Sequence, residues 1–375
     1  MITLRGGKAL TPDGLVETDV TTVEGRLVLG AVDGSRVIDV TGTTIIPGLI
    51  DIQTNGGWGH DFTSDPESIW DVGRRLPETG VTSFAPTFVT SPYEVIDRAI
   101  EVVKAGPPPG YVGAEVLGAH IEGPWISSEW RGAHNPAYLR PPDVGKAGEW
   151  AESGVVRMVT IAPELEGAEE TAARFDAAGV VVAAGHTGAD YEQATAALQG
   201  AWSAVTHLFN QMSQFQHREP GMVGAALTST RPCGLIVDGL HSHSGTVQLA
   251  WQLLGPDRMI LITDAMQATG LGYGTYLLGD REVTVGGDGP RTTEGKLAGS
   301  TLTMVRAVAN LTAWTDATFA QAVRCATLTP ATLMKATDRG VIRTGRRADL
   351  TVLDQDLSVV LTLASGMLAY ERGTS

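Results

Sequence analysis

Apolar runs of strand length recur along most of this chain, and helix-like segments lie between most of them. The apolar runs fall near residues 49–53, 81–86, 115–121, 155–161, 179–185, 201–206, 234–238 and 259–263. Helical patterns cover residues 66–79, 92–105, 167–178, 189–199 and 246–254. Eight β/α repeats of this length predict an α/β fold of the TIM-like (β/α)8 barrel type. A doubly wound sheet is the alternative, but no Gly-rich phosphate turn follows an early strand.

The two ends of the chain show a different pattern, in which short alternating runs are joined by tight turns. Such runs are typical of small β-strands, and either set alone would leave unpaired sheet edges. We therefore predict one small β-sandwich domain built from residues 1–46 and 341–375, and a separate catalytic barrel from residues 47–340. Within the barrel unit, a β-hairpin insertion is predicted near 276–296, before closing helices at 302–313 and 317–336.

Composition narrows the classes of partner. The net charge of −15 provides no basic field for nucleic acid or an anionic membrane, although a few cations could still hold a small anionic substrate. The two cysteines, Cys233 and Cys325, form no disulfide framework and are expected to be buried. The N-terminal residues have no signal-like apolar core, and no run reaches membrane-spanning length, so a cytoplasmic location is expected.

Six side chains that could bind a metal or move a proton follow the apolar runs. They are Glu122, His134, His186, His207, His241 and Asp264. Barrel enzymes place their chemistry at the C-terminal ends of the strands, so this recurrence predicts a metal-assisted hydrolase. Glu122, His186 and His207 follow the third, fifth and sixth runs. A carboxylate and two imidazoles are a common catalytic zinc set that leaves a position for water.

The remaining candidates have more than one interpretation. Asp264 could exchange a proton with water and a leaving group, or it could cap the following helix. His134 could polarise a carbonyl or lie solvated in its polar loop. Arg218 could clamp an anion or be a solvated charge.

Three further histidines carry weaker signals. His241 and His243 form an H-x-H pair, which on a strand would place both side chains on the same face. Here the pair follows Gly239 into a loop, so the two side chains need not share a face. His120 lies two residues before Glu122 and is either support for the site or a core histidine.

The motifs HIEGP, GAHNP, GHTGA, THLFNQM, REPG, DGLH, TDAM and LAGSTLTM occur here in one order. Together they resemble the N-acetylglucosamine-6-phosphate deacetylases of the amidohydrolase superfamily. The resemblance extends from IIPGLIDIQTNG at 45–56 to RRADLTVLD at 346–354.

The resemblance implies a role for each candidate residue. Glu122, His186 and His207 would bind one divalent metal ion, with zinc preferred and Fe²⁺, Co²⁺ and Mn²⁺ as the other candidates. Asp264 would activate water and protonate the leaving amine, and His134 would polarise the acetyl carbonyl. The substrate, an amino-sugar phosphate, would contact Ala133, Asn210, Gln211, Arg218, Asp238, Gly239, Leu240, His241, Leu297, Ala298 and Gly299. Arg218 would reach the neighbouring subunit's site, which implies a homodimer.

Two positions depart from the pattern of many amidohydrolases. Gln53 and Asn55 occupy the place of a His-x-His pair after the first strand, and neutral amides are poor ligands for a second cation. We therefore expect a vacant second-metal position. Gln211 replaces a common Ala, so a contact there would come from its backbone.

Three alternatives remain open from the sequence. The substrate could be N-acetylgalactosamine 6-phosphate, or the chain could be a related amidohydrolase that acts on a cyclic amide. A non-catalytic protein that keeps the fold would be expected to lose the ligands or the general base, and all four of those residues are present.

Overall fold

Eight parallel strands form the centre of the molecule in the computed structural model, which describes residues 1–373. Residues 374 and 375, the end of the predicted terminal domain, lie outside the described residues. The barrel strands are β1 Leu49–Thr54, β2 Val81–Val89, β3 Ala119–Glu122, β4 Val156–Ile161, β5 Val181–Ala184, β6 Ala204–Val205, β7 Cys233–Leu235 and β8 Met259–Leu261. Each strand pairs in parallel with the next. The predicted barrel is therefore confirmed.

The barrel closes between β8 and β1 through the end of β1 and the residues just past the two strands. The Asp264 N–H donates to the Gln53 carbonyl at 2.9 Å, and the Asn55 N–H donates to the Ala265 carbonyl at 2.7 Å. This junction between β8 and β1 is called the seam below. In the described chain it has an isolated bridge rather than a regular ladder. The seam therefore joins the ends of β1 and β8 beside the predicted site.

Ten α-helices in the described chain surround or follow the barrel strands. They are α1 Ile69–Arg75, α2 Tyr93–Ala105, α3 Val144–Glu152, α4 Ala168–Ala177, α5 Tyr191–Gln199, α6 Gly221–Thr228, α7 Ser244–Arg258, α8 Met304–Trp314, α9 Phe319–Cys325 and α10 Leu328–Leu333. Short 3₁₀ turns occupy Pro66–Ser68, Leu76–Thr79 and Pro136–Tyr138. Between residues 1 and 373, no helix combines the length and apolar character that a membrane span requires.

Helices α3 and α6 were absent from the sequence prediction. α6 is buried along nearly its whole length, so it lacks the polar face that produces a helical period. α3 is short and contains two glycines, and its N-cap Asp143 accepts from the Lys146 N–H at 2.9 Å. The predicted helix over 317–336 is divided into α9 and α10, because Thr327 has non-helical backbone angles.

Strands from both termini build two packed sheets. One contains Arg26–Leu29, Val20–Val23, Ile2–Arg5 and Arg36–Asp39, and the other contains Met367–Glu371, Val359–Ala364, Leu350–Leu353, Thr44–Pro47, Lys8–Thr11 and Gly14–Glu17. Leu4, Ile45 and Leu350 share one apolar core between them. The predicted terminal β-sandwich is thus present beside the barrel.

The insertion after β8 differs from the predicted hairpin. It forms a three-stranded antiparallel sheet of Gly274–Leu278, Arg281–Gly286 and Gly289–Thr292, called the insert sheet below. The Gly-rich turn between residues 286 and 289 reverses the chain a second time, which adds the third strand. Short strands also occur at Gly56–Gly57, His60–Asp61 and Glu115–Val116.

Candidate metal centre and active site

Three buried donor atoms from different barrel strands converge at one point. Glu122 ends β3, and His186 and His207 each follow their strand, β5 or β6, by two residues. Glu122 Oε1 lies 3.2 Å from His186 Nε2 and 3.1 Å from His207 Nε2, and the two nitrogens are 3.1 Å apart. Among the described residues, these three have donor atoms close enough together to hold a metal ion.

The protonation states of the cluster suit a cation. The Trp130 carbonyl can only accept, so His186 Nδ1, 2.9 Å away, carries the ring proton and leaves the Nε2 lone pair toward Glu122. Burial raises the pKa of Glu122, but when Nε2 of His186 and of His207 is also protonated, their hydrogen bonds and charge outweigh burial and hold that pKa well below its ordinary value. Burial lowers the pKa of His207, and Glu122 raises it by a larger amount. The three atoms therefore need a shared proton or a cation, and they fit a divalent metal ion.

Two neutral amides lie beside these carboxylates. Gln53 Nε2 donates to Glu122 Oε1 at 3.1 Å, and Asn55 Nδ2 donates to Asp264 Oδ1 at 2.7 Å. Within residues 1–373, the amide oxygens of Gln53 and Asn55 are buried without a hydrogen-bond partner. The amides thus act as donors that orient the carboxylates.

Asp264 lies three residues past β8 and faces the same cavity. The bond from Asn55 occupies Oδ1, which leaves Oδ2 for a ligand. Burial raises the pKa of Asp264 to about 6, and the charge of Glu122 adds to this rise. Its carboxyl group is thus suited to both accept and donate a proton near neutral pH.

His134 is buried opposite the cluster, with its ring 4.4 Å from that of His186 between centroids. The Thr90 N–H donates to Nδ1 at 3.3 Å, and the Thr90 hydroxyl lies 2.8 Å from the same atom. Burial, with the charge of His186, lowers the pKa of His134 to about 3, so the ring is neutral. Because Nδ1 accepts, the proton is on Nε2, where it can be donated to a substrate oxygen.

Asp238 holds His241 in place rather than facing the cavity itself. Its Oδ1 accepts from the N–H groups of Leu240 and His241, both at 2.8 Å, and its Oδ2 lies 2.8 Å from His241 Nδ1. Burial raises the pKa of Asp238, but the hydrogen bonds from His241 lower it below the ordinary value. His241 Nδ1 therefore donates to a carboxylate, and Nε2 remains for a ligand.

A cavity of about 310 Å³ contains this cluster. The predicted site residues that line this cavity are Asn55, Glu122, Ala133, His134, His186, His207, Asn210, Gln211, His241, Asp264, Leu297, Ala298 and Gly299. Arg218, Asp238, Gly239 and Leu240 are outside this lining. Arg218 is exposed beside a second depression. Two lining cations, Arg291 and Lys296, were missed because they lie in the turn-rich insertion, where nothing in the sequence separates them from surface charges.

His120 and His243 have structural environments. His120 is fully buried in the barrel, 3.2 Å from the Thr87 hydroxyl and 2.8 Å from the Thr160 hydroxyl. Burial lowers its pKa to about 4, so it is a neutral core histidine. His243 Nδ1 accepts from the Gly245 N–H at 3.1 Å and caps α7.

The turn that holds His186 depends on Glu164, which the sequence did not single out. Glu164 Oε2 accepts from the Thr187 hydroxyl at 2.5 Å, and Oε1 accepts from the Gly188 N–H at 2.6 Å. Glu164 belongs to the loop after β4. The fourth strand thus supports a ligand that follows the fifth.

Comparisons with known proteins place these features in a family. Residues 44–369 match the amidohydrolase family. The N-acetylglucosamine-6-phosphate deacetylase of Bos taurus is 38% identical over 98% of this chain and 91% of its own length. The enzyme of the same name from Bacillus subtilis is 35% identical over 88% of this chain and 85% of its own length.

Solved structures agree with these relatives. A Mycobacterium smegmatis N-acetyl-D-glucosamine-6-phosphate deacetylase variant, in complex with N-acetyl-D-glucosamine-6-phosphate, superimposes with a TM-score of 0.89 at 33% identity. The match covers 98% of this chain and 99% of that one. The Thermotoga maritima deacetylase has a TM-score of 0.88 at 30% identity, over 99% and 100% of the two chains. Enamidase, with a TM-score of 0.63 at 14% identity, shares the fold alone.

Proposed function

This chain belongs to the amidohydrolase family and, within it, to the N-acetylglucosamine-6-phosphate deacetylases, and we propose a mechanism for it on that premise. The reaction hydrolyses the acetamide of N-acetylglucosamine 6-phosphate to glucosamine 6-phosphate and acetate, a step of amino-sugar metabolism. One observation supports the mechanism: the three candidate metal ligands line the same cavity as Asp264 and His134.

We propose that Glu122, His186 and His207 hold one divalent ion, zinc in preference to Fe²⁺, Co²⁺ or Mn²⁺. Such an ion lowers the pKa of a water molecule and polarises the amide carbonyl. The amide groups of Gln53 and Asn55 support a single ion, because each already donates to a carboxylate that a second cation would need. Metal analysis should find one tightly held ion per chain.

The proton transfers are assigned to Asp264. Its free Oδ2 takes a proton from the attacking water and later delivers it to the amine nitrogen, which must be protonated to leave. The Nε2–H of His134 donates to the carbonyl oxygen as that oxygen gains negative charge. The Thr90 contacts hold His134 in the tautomer that this donation requires.

The sugar phosphate is assigned to the side of the cavity formed by His241 and Asn210. Asp238 fixes the His241 ring, so its role is to position His241. Arg218 lies in an exposed segment with Phe215, which is 60% exposed. An exposed aromatic beside a predicted phosphate ligand supports a homodimer in which Arg218 enters the neighbouring subunit's site. Because a phosphorylated sugar does not cross a bilayer unaided, we also propose a cytoplasmic location.

Acetate release tests the reaction directly. Purified protein should release acetate from N-acetylglucosamine 6-phosphate, lose this activity to a chelator and regain it with Zn²⁺. N-Acetylgalactosamine 6-phosphate, assayed in parallel, decides the epimer preference. Chelator-insensitive release, or none after zinc is restored, would contradict the proposal.

Replacement of Asp264 tests the proton carrier. Asp264→Asn should lower kcat by about a thousandfold, the scale of a lost general acid and base, while zinc content stays near one per chain. The matched control is Asp288→Asn in the exposed turn between the second and third strands of the insert sheet, which should keep near-normal turnover. Comparable turnover by the two variants would exclude Asp264 from this role.

A further inference from the structure

Lysine and arginine side chains are scarce in the cavity lining, although the substrate bears a phosphate. The whole chain has a net charge of −15, and two carboxylates, Glu122 and Asp264, line the cavity wall. A dianionic ligand is repelled by such a field unless cations offset it locally. In the described part of the lining, the only Lys and Arg side chains are Arg291 and Lys296.

A tight turn places these two cations together. The Gly295 N–H donates to the Thr292 carbonyl at 2.8 Å, and the Thr292 N–H donates to the Lys296 carbonyl at 2.9 Å. Arg291 pairs with Leu297 across the turn, and its Nη1 donates to the Gly295 carbonyl at 2.8 Å. Arg291 therefore lies in the last strand of the insert sheet, and Lys296 lies in the loop that returns beside that strand.

The same segment is tied to the catalytic carboxylate. The Ser300 N–H donates to the Asp264 carbonyl at 2.7 Å, and the Met266 N–H donates to the Ser300 carbonyl at 3.0 Å. Three residues separate Lys296 from Ser300. The position of the two cations is thus fixed relative to Asp264 through backbone bonds.

Nearby acids leave both cations free to bind a ligand. Glu294, two residues before Lys296, is 2.7 Å from Arg281 and 3.4 Å from Arg131. These contacts lower the pKa of Glu294 and satisfy its charge elsewhere, with the hydrogen bond from Arg281 as the main cause. Across residues 1–373, neither Arg291 nor Lys296 forms an ion pair with a carboxylate.

We propose that Arg291 and Lys296 are specificity-determining residues. They attract and hold the phosphate of the substrate that is bound in the cavity of their own chain. This inference rests on the proposed deacetylase function and adds a charge pair at the end of the insert sheet to the contribution of His241 and the neighbour's Arg218. A guanidinium and an ammonium that line the same cavity offer donors to phosphate oxygens. The insert sheet would thereby select phosphorylated over unphosphorylated acetamido sugars.

Arg291→Met and Lys296→Met test the pair against the charge-matched control Arg343→Met, an exposed cation of the terminal domain. Each test variant should lower kcat/KM for N-acetylglucosamine 6-phosphate by about tenfold, the scale of one charge-assisted hydrogen bond. The loss on unphosphorylated N-acetylglucosamine should be much smaller. Lys296→Arg should recover most of the loss, and the control should match the wild type on both sugars.

Ionic strength and inorganic phosphate give readouts that a merely structural role would not move. In the wild type, kcat/KM for the phosphorylated sugar should fall as salt is raised, and the double variant should lose most of that slope. The inhibition constant of inorganic phosphate should rise about tenfold in each test variant. Equal losses on both sugars, or an unchanged phosphate inhibition constant, would overturn the inference.

The wild-type assay separates failure of this inference from failure of the function. If the wild type is active and the variants prefer the phosphorylated sugar as strongly as the wild type does, the inference about the cation pair is overturned and the deacetylase function stands. A wild type that releases no acetate, yet binds inorganic phosphate in calorimetry more tightly than either test variant, would refute the deacetylase function and support the cation pair.

Discussion

Three side chains at the centre of the site lie on backbone that non-glycine residues seldom adopt. The φ angles of His186, His207 and Asp264 are 51°, 29° and 50°. Each such conformation costs on the order of 1–3 kcal/mol and persists only where neighbouring contacts impose it. Residue type and position after a strand were enough to single out these three residues as candidates, and they line one cavity. Glu164, which supports His186 from 22 residues earlier in the chain, could not be predicted, because its partners come from another loop.

Glu164→Gln should weaken metal binding more than catalysis. The amide can keep only one of the two acceptor roles toward Thr187 and Gly188, so the turn under His186 loosens. We expect zinc affinity to fall by about ten- to a hundredfold, with kcat near normal once the ion is saturating. Competition with a chromophoric chelator measures the affinity.

Glu166→Gln is the matched control for this prediction, since Glu166 is exposed in the same loop. It should leave zinc affinity unchanged. Equal affinities for all three proteins would show that Glu164 does not support the ligand.

At the scale of elements, apolar runs predicted the barrel strands well because parallel strands are buried on both faces. Helices were predictable only where one face was polar, which is why α6 escaped notice. The barrel itself was predicted, but the residues that close it were not predictable, because no periodic signal marks a pairing between the first and last strands. Asp51 contributes to that closure: its Oδ2 accepts from the Thr263 hydroxyl at 2.5 Å, and its Oδ1 from the Thr263 N–H at 3.3 Å.

Asp51 should make the stability of the seam depend on pH. Burial raises its pKa to about 7, above the ordinary value of about 4 in the unfolded chain. Protonated Asp51 contributes up to about 4 kcal/mol to the free energy of unfolding. This contribution is fully present below about pH 4 and is lost as the pH rises through about 7. Asp51→Asn removes this dependence. The free energy of unfolding of Asp51→Asn relative to wild type should therefore rise between pH 5 and pH 8.

Urea unfolding at the two pH values, at equal metal content, measures this difference. Asp61, whose pKa is raised to about 6 by burial, is common to both proteins, so its contribution cancels. A difference between the two proteins that does not change with pH would contradict the raised pKa of Asp51.

At the scale of the whole molecule, one chain supplies the candidate metal ligands and the proposed proton carrier but leaves Arg218 outside the cavity. The segment 214–219 that contains Arg218 is exposed, and so are Leu249 and Leu253 on α7. Sequence resemblance alone suggested a second subunit, since a single chain's pattern does not encode what covers an exposed surface.

Subunit mixing tests the shared site. Asp264→Asn and Arg218→Met should each be impaired alone. In a mixed dimer, the subunit with intact Asp264 receives Arg218 from its neighbour, so one complete site forms. Random exchange should restore about a quarter of the wild-type sites, since half of the dimers are mixed and each holds one working site.

The matched control mixes Asp264→Asn with His134→Ala. Both residues act in their own subunit's cavity, so no complete site can form in any dimer. Recovery in that control, or no recovery in the first mixture despite subunit exchange seen by native mass spectrometry, would show that Arg218 does not act across subunits.

The closure of the barrel between β8 and β1 has a consequence for how this enzyme would fail under heat. Of the candidate metal ligands, Glu122 ends β3, and His186 and His207 follow β5 and β6, which pair with a neighbouring strand on both sides, whereas Asp264 depends on the seam for its place. Local opening of the seam would separate Asp264 from the other groups while the ligand cluster remains together. Thermal inactivation would then precede both metal release and loss of helical circular dichroism, and would be reversed on cooling.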